Sequence, residues 1–311
     1  MSAASSTWKA RLWKACKHGI TVAVLICVSI SFYHSLRDLS STELHWQPEW
    51  LVVAGLAYFA SMTVSMFYWW WSMVALGQKP RPLDVARAYF IGHLGKYVPG
   101  KALVIIMRAG LVQSETCRPS IAAITVVYET LSLMAAGAIW LVAVLCWTGI
   151  WEELPLWATA AIVATVCLPI VPPIFNLILK KVLAPFRQVD VTSLPQLNYR
   201  FLALGILFGL GAWVFMGLSL AAAICAVNDS VPVWSGLVLL TAQFAAATIV
   251  GWIIPTPGGL GGREAALRTL LQSTLGEGPA ALVALLLRLT WIVTELVISG
   301  FLYPLRWFRR A

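Results

Sequence analysis

Charge is what this chain has least of. Only 11% of its 311 residues are Asp, Glu, Lys or Arg, where an ordinary soluble domain carries about 25%. With 60% apolar residues and a mean hydropathy of +0.82, a water-soluble fold of this size could not hide its apolar surface. That excludes a cytosolic enzyme, a secreted disulfide scaffold and a disordered tail. Paired cysteines are lacking too. The six cysteines (Cys16, Cys27, Cys117, Cys146, Cys167, Cys225) stand singly and none forms a CxxC, so neither a disulfide framework nor a metal site is expected. The four histidines (His18, His34, His45, His93) have no partner at helical i,i+4 spacing and read as interfacial. No Ser–His–Asp arrangement, no Asp-rich cluster and no soluble stretch large enough for group transfer can be found. The chain is expected to be no enzyme and to carry no cofactor.

What is present is a series of apolar runs, each near the roughly 20 residues that cross a bilayer. They fall at about 18–35, 50–76, 120–147, 155–179, 200–226, 233–254 and 280–303. Trp46, Trp50, Trp147, Trp151, Trp157, Trp234 and Trp307 gather near their ends, as an aromatic belt at headgroup level. The expected fold is an all-α polytopic membrane protein, a bundle of 7–8 transmembrane helices in a single domain over 1–311. Residues 1–17 form a basic juxtamembrane segment before an uncleaved first anchor.

The formal charge of +9 could suggest nucleic acid, but the cations sit in short loops without a contiguous basic stripe. They read as topology determinants. Lys79, Arg81 and Arg87 follow the second run, and Lys180, Lys181 and Arg187 follow the fourth. The alternate loops carry Asp38, Glu43, Glu49, Glu152, Glu153 and Asp229. The positive-inside rule then places the N-terminus in the cytoplasm. Seven crossings would leave Arg306, Arg309 and Arg310 outside, and an eighth built from 257–277 would bring them back in.

Two helix-length stretches are interrupted by glycine and proline, about 84–113 and 255–276. Broken backbone at membrane depth survives only where protein or a water-filled cavity satisfies it, and such segments point to a transporter's substrate site. Both are expected to be re-entrant. The first holds Gly95-Lys-Tyr-Val-Pro-Gly100-Lys101-Ala102, close to a phosphate-binding loop. Ala102 lacks the hydroxyl that loop needs for magnesium, and no strand precedes it. What survives is a proline-opened helix start with glycine beside it and Lys96, Lys101 and Arg108 to attract an anion. The competing reading is an interfacial loop whose cations reach the headgroups.

The second stretch, Pro257-Gly258-Gly259-Leu260-Gly261-Gly262-Arg263-Glu264, reads as the unwound start of a half-helix near Gly261 or Gly262. Its N–H groups and Arg263 could hold an anionic headgroup while Glu264 caps the helix dipole. A tight turn between helices is the alternative. Within the spans, Glu129, Arg288 and Glu295 are the costly residues. Arg288 and Glu295 share a helix face, and Glu129 is the expected partner of Arg288. These carboxylates, with Glu264, are candidates for ion pairing or ion coupling. Gln243 reads as an interhelical hydrogen bond.

In chain order, Gly92-His-Leu-Gly-Lys-Tyr-Val-Pro-Gly-Lys101, Arg108, Glu129, Pro255-Thr-Pro-Gly-Gly-Leu-Gly-Gly-Arg-Glu264 and Arg288 resemble the transmembrane region of lysylphosphatidylglycerol synthases and their free-standing, flippase-like relatives. The resemblance covers nearly the whole chain. It implies a flippase-like bundle with re-entrant segments, in a bacterial or archaeal inner membrane, that moves lipids or lipid-linked groups between leaflets. By position it carries over Lys96, Tyr97, Pro99, Gly100, Lys101, Arg108, Glu129, Pro257, Gly258, Gly259, Gly261, Glu264 and Arg288. Thr130 stands where the family often has an arginine, and a counterpart of the synthases' soluble aminoacyl-transferase domain is not expected. The expected function is transbilayer movement of an anionic phospholipid or lipid-linked phosphate. Lys96, Tyr97, Gly100, Lys101, Arg108, Gly258, Gly259, Gly261, Arg263 and Arg288 would hold the headgroup. The expected partners are membrane lipids rather than nucleic acid, with a lipid-modifying enzyme as a further candidate. The alternatives are an embedded enzyme or enzyme partner acting on polyisoprenyl-phosphate lipids, and a non-transporting scaffold.

Overall fold

The computed structural model describes residues 46–97, 102–149, 161, 164–183, 196–228, 231–253, 259 and 261–305. The apolar run at 18–35, the basic segment before it and the expected cleavage-free anchor lie outside these residues. Among the described residues every regular element is a helix, and the only β feature is an isolated bridge between Ser114 and Cys117. The elements are α1 (Glu49–Ala75), α2 (Pro82–His93) with a 3₁₀ turn (Leu94–Tyr97), α3 (Ala102–Val112) and α4 (Pro119–Thr148). After a second 3₁₀ turn (Leu168–Ile170) come α5 (Pro172–Leu183), α6 (Tyr199–Cys225), α7 (Leu237–Ile253), α8 (Gly262–Leu275) and α9 (Glu277–Leu302).

Local chemistry sets the boundaries. Pro82 and Pro119 open α2 and α4 after an extended arginine, where a missing N–H costs nothing and φ is already helical. Asn198 starts α6 by accepting the Arg200 N–H at 3.0 Å, one of the orphan donors of a helix start. Gly149, at φ 74°, ends α4 in the left-handed conformation that stops a helix.

Among the described residues four helices, α1, α4, α6 and α9, are long and apolar enough to cross a membrane. They match the runs expected at 50–76, 120–147, 200–226 and 280–303. A fifth candidate, where a span was expected over 155–179, is bent by 81° between Ala164–Ile170 and Pro172–Val182. The bend falls where Pro172 cannot donate to the preceding turn. The protein is therefore a multi-pass membrane protein. Close packing holds the long helices together. A Cβ placed on Gly209 of α6 would lie 2.7 Å from Ala136 Cβ of α4, and one on Gly205 would lie 2.7 Å from Ser132 Oγ. Small residues four apart let two backbones approach where lipid offers no hydrophobic gain. Trp69 is fully buried and its indole N–H donates to Thr125 Oγ1 at 3.1 Å, so this tryptophan is a packing residue of the core.

The first broken stretch folds as an antiparallel helical hairpin, and the second supplies one arm, α8, of another hairpin whose first arm is α7. In the first, Gly92 of α2 faces Arg108 of α3, and Gly95 faces Leu103 and Val104. In the second, Gly251 of α7 faces Arg263 of α8, and Gln243 Nε2 donates to the Leu270 carbonyl at 3.3 Å. The arms of 12, 11, 17 and 14 residues measure about 16–26 Å at 1.5 Å per residue, short of a hydrocarbon core of about 30 Å.

The hairpins enter the bundle from opposite ends. One end gathers the start of α1, the end of α6 and the start of α7, through Gln47 N donating to the Ala226 carbonyl at 3.0 Å and the Trp50–Trp234 ring pair. The other gathers the end of α1, both outer ends of the first hairpin and the end of α9. Lys79 N donates to the Thr116 carbonyl at 3.0 Å, and Arg87 Nε to the Leu302 carbonyl at 3.1 Å. This second end carries Lys79, Arg81, Arg87 and Arg118. Of the stretch over 257–277 where an eighth crossing was expected, the described helix is the 14-residue α8. That stretch does reverse the chain, but as the short arm α8 folded against α7, and the expected full span at 233–254 is the other arm.

Candidate functional site

The described residues nearest the two chain reversals, Lys96 and Tyr97 in one hairpin and Arg263 and Glu264 in the other, meet at α9. Glu295, on α9, is wholly inaccessible to solvent. The hydroxyl of Tyr58, from α1, donates to its Oε1. Lys96 Nζ, from the 3₁₀ turn, donates to the same oxygen at 2.5 Å, and Tyr97 Oη donates to Oε2 at 2.9 Å. Burying a carboxylate is costly unless it is paired and hydrogen-bonded, and here both conditions are met by residues from two other elements, α1 and the 3₁₀ turn. The 3₁₀ turn positions this group. It continues α2 for four residues and brings Lys96 and Tyr97 onto α9.

One turn-pair away on α9, Arg288 reaches the other hairpin. Its Nη1 lies 3.7 Å from Glu264 Oε1, and its guanidinium carbon lies 5.3 Å from the Tyr97 ring centre. Glu264 also accepts the Gly261 N–H at 2.8 Å and lies 3.4 Å from Arg263 Nη2. The helix-start cap expected of Glu264 is thus in place, and α8 begins at Gly262 as expected. Gly259 and Gly261 have φ of 70° and 84°, backbone that an L side chain rarely adopts. That is the physical content of the glycine-rich run: it unwinds the chain so that Arg263 and Glu264 face α9.

Aromatic rings seal the cluster. Tyr58 and Trp291 stack at 3.8 Å between ring centres, and the Arg263 guanidinium sits 5.0 Å over Trp291. The Trp291 indole N–H donates to Ser219 Oγ at 3.0 Å, and Ser219 Oγ to the Ala54 carbonyl at 2.8 Å, which fixes the ring. Arg263 and Arg288 are close enough to Lys96 to act on it electrostatically. Among the described residues the junction holds three cations (Lys96, Arg263, Arg288) and two carboxylates (Glu264, Glu295), a net charge of one positive. Lys96 and Arg263 keep some side-chain exposure, 18% and 12%, so both can meet a ligand.

Arg108 and Glu129 are elsewhere. Arg108 Nη1 pairs with Glu129 Oε2 at 2.8 Å, both buried, and the guanidinium lies 3.7 Å over the Tyr89 ring. This corrects the pairing expected from the sequence. Glu129 is the partner of Arg108, and Arg288 pairs with Glu264, because the first hairpin lays α3 against α4 while the second brings α8 to α9. Arg108, expected to hold the headgroup, is enclosed by this pair. Thr130, at the position where an arginine is frequent, turns its hydroxyl to the Val126 carbonyl at 2.9 Å. Gly100, Lys101, Pro99, Pro257 and Gly258 lie outside the described residues.

Two residues that sequence reasoning passed over belong to the site. His93 Nδ1 lies 3.3 Å from Arg108 Nη2 and its Nε2 lies 3.8 Å from Glu295 Oε1, so it links the two buried clusters. Its one sequence signal is its position one helical turn before Lys96. Tyr58 sits among apolar neighbours in α1 and has no comparable signal.

A family model described as lysylphosphatidylglycerol synthase TM region matches residues 19–298. No curated protein matches the chain.

Proposed function

Because the chain belongs to the lysylphosphatidylglycerol synthase transmembrane-region family, whose members are tied to membrane lipids, we propose that it carries an anionic lipid headgroup across the bilayer. The substrate is an anionic phospholipid or a lipid-linked phosphate. The observation that carries this reading is the meeting of Lys96, Arg263 and Arg288 from three separate elements at the tips of hairpins that enter from opposite ends. Short helices broken at a shared buried site are how transporters expose one site to either side. Their positive helix starts and basic side chains favour an anion.

The main barrier to lipid movement is the cost of a charged phosphate in hydrocarbon. The three cations gathered at the junction face the phosphodiester charge, while the acyl or isoprenoid tails stay in lipid. The reading asks for no catalytic step and no cofactor. It places the protein in a bacterial or archaeal plasma membrane with the Lys79–Arg118 end in the cytoplasm, where basic residues are retained.

The test is a leaflet-accessibility assay in proteoliposomes containing headgroup-labelled phosphatidylglycerol or polyisoprenyl-phosphate lipids. Faster equilibration of one class, lost in Arg263→Gln/Arg288→Gln protein that still elutes as folded, supports the reading and names the substrate. No acceleration of either class by folded wild-type protein overturns it.

A further inference from the structure

The buried link through His93 carries one more inference, which rests on the headgroup reading above. Arginine can only donate hydrogen bonds. The 3.3 Å contact between Arg108 Nη2 and His93 Nδ1 therefore makes Nδ1 the acceptor. The neutral ring then carries its proton on Nε2, the nitrogen that faces Glu295 Oε1 at 3.8 Å. Tyr89 stacks on the same ring, and Lys96, Arg108 and Arg288 all act on it electrostatically. Glu129, from α4, holds Arg108 from behind.

Around Glu295 the described charged and titratable groups are Tyr58 from α1, His93, Lys96 and Tyr97 from the first hairpin, Arg263 and Glu264 from the second, and Arg288 from α9 itself. Of the groups hydrogen-bonded to Glu295, Lys96 is the cation. Lys96 is also one of the three cations offered to a headgroup. A phosphate arriving at Lys96 thus sets a second anion beside a fully buried carboxylate that has no water to turn to.

We propose that Glu295 and His93 form a proton-binding site, filled once for each anionic headgroup bound. The proton resides on Glu295, beside the Nε2 of His93. The bound phosphate and the proton cancel, so the junction keeps its net charge of one positive through loading, and no further unpaired charge is buried. Loading is favoured on the more acidic side of the membrane, and a proton gradient gives the movement its direction.

The probe is dihexanoylphosphatidylglycerol, a soluble phosphodiester that stays a monoanion near neutral pH. Calorimetric titration of the full chain in nanodiscs, repeated in buffers of different ionisation enthalpy, counts protons directly. The expected result is uptake of about one proton per probe, with affinity rising up to about tenfold for each unit of acidification. Glu295→Gln should bind the probe with no proton uptake and a flat pH profile. Binding by wild-type protein without proton uptake overturns the proton site and leaves the headgroup reading standing. Full uptake in folded Glu295→Gln overturns the assignment to Glu295. Absence of binding at every pH overturns the headgroup reading instead. The wild-type proton count decides the matter even if the variant does not fold.

Discussion

Lys96 and Glu295 are 199 residues apart in the chain and 2.5 Å apart in space. That contact ties the 3₁₀ turn of the first hairpin to the C-terminal third of α9. It also makes the pair asymmetric: the carboxylate is sealed from solvent, while the ammonium side chain retains 18% exposure.

The asymmetry predicts unequal variants. Lys96→Ala strands a buried carboxylate with two tyrosine donors and should cost about 3–5 kcal/mol. Glu295→Gln leaves a neutral acceptor for Tyr58 and Tyr97 and a lysine that can reach water, and should cost less than half as much. Thermal unfolding in detergent compares the two. Equal losses would show that the pair itself, rather than the stranded charge, sets the cost.

The Arg108–Glu129 pair should behave as a structural unit. Either Arg108→Leu or Glu129→Leu alone leaves an unpaired buried charge, at about 3–5 kcal/mol, whereas the double variant should recover most of that loss. A double-mutant cycle on unfolding midpoints measures the coupling. Additive losses would argue that the two side chains act separately.

Both hairpins depend on a glycine laid against an arginine. A Cβ on Gly92 would lie 2.7 Å from Arg108 Cγ and 3.0 Å from its backbone nitrogen, and one on Gly251 would lie 2.7 Å from Arg263 Cβ. Gly92→Ala and Gly251→Ala should each destabilise by about 1–3 kcal/mol through overpacking. Gly110→Ala, where a Cβ meets nothing within 4 Å, should be neutral or stabilise by about 0.5–1 kcal/mol. A loss at Gly110 equal to that at Gly92 would locate the effect in the helix backbone and not in the arm contact.

The two ends of the bundle predict sidedness. In a cysteine-free background, Ser235→Cys should react with an impermeant maleimide on intact cells and Glu115→Cys should not, until the membrane is opened. The reverse pattern would invert the orientation expected from the basic loops.

The long spans were legible because their signal is compositional. α1, α4, α6 and α9 each hold enough consecutive apolar residues to fit only a bilayer, and Pro82, Pro119 and Gly149 mark boundaries by their own backbone chemistry. The special character of the two interrupted stretches was legible for the same reason, since glycine and proline have local meanings. Pairing was not. Glu129 could be assigned to Arg288 from the sequence because both are lone charges in apolar runs, and charge carries no address. Only the packing of α3 on α4 and of α8 on α9 gave Glu129 to Arg108 and Glu264 to Arg288.

His93 shows the limit most clearly. In the sequence it is a histidine without a partner at i,i+4 spacing. In the fold it stands between Arg108 and Glu295, because a hairpin brings residues 15 positions apart together and α9 closes over the result. The sequence by itself determined the solvent, the spans and the places where helices must break, since each is written in the chemistry of neighbouring residues. The tertiary structure decided which charges meet, because burial leaves each ionised group a partner only where the packing of distant helices supplies one.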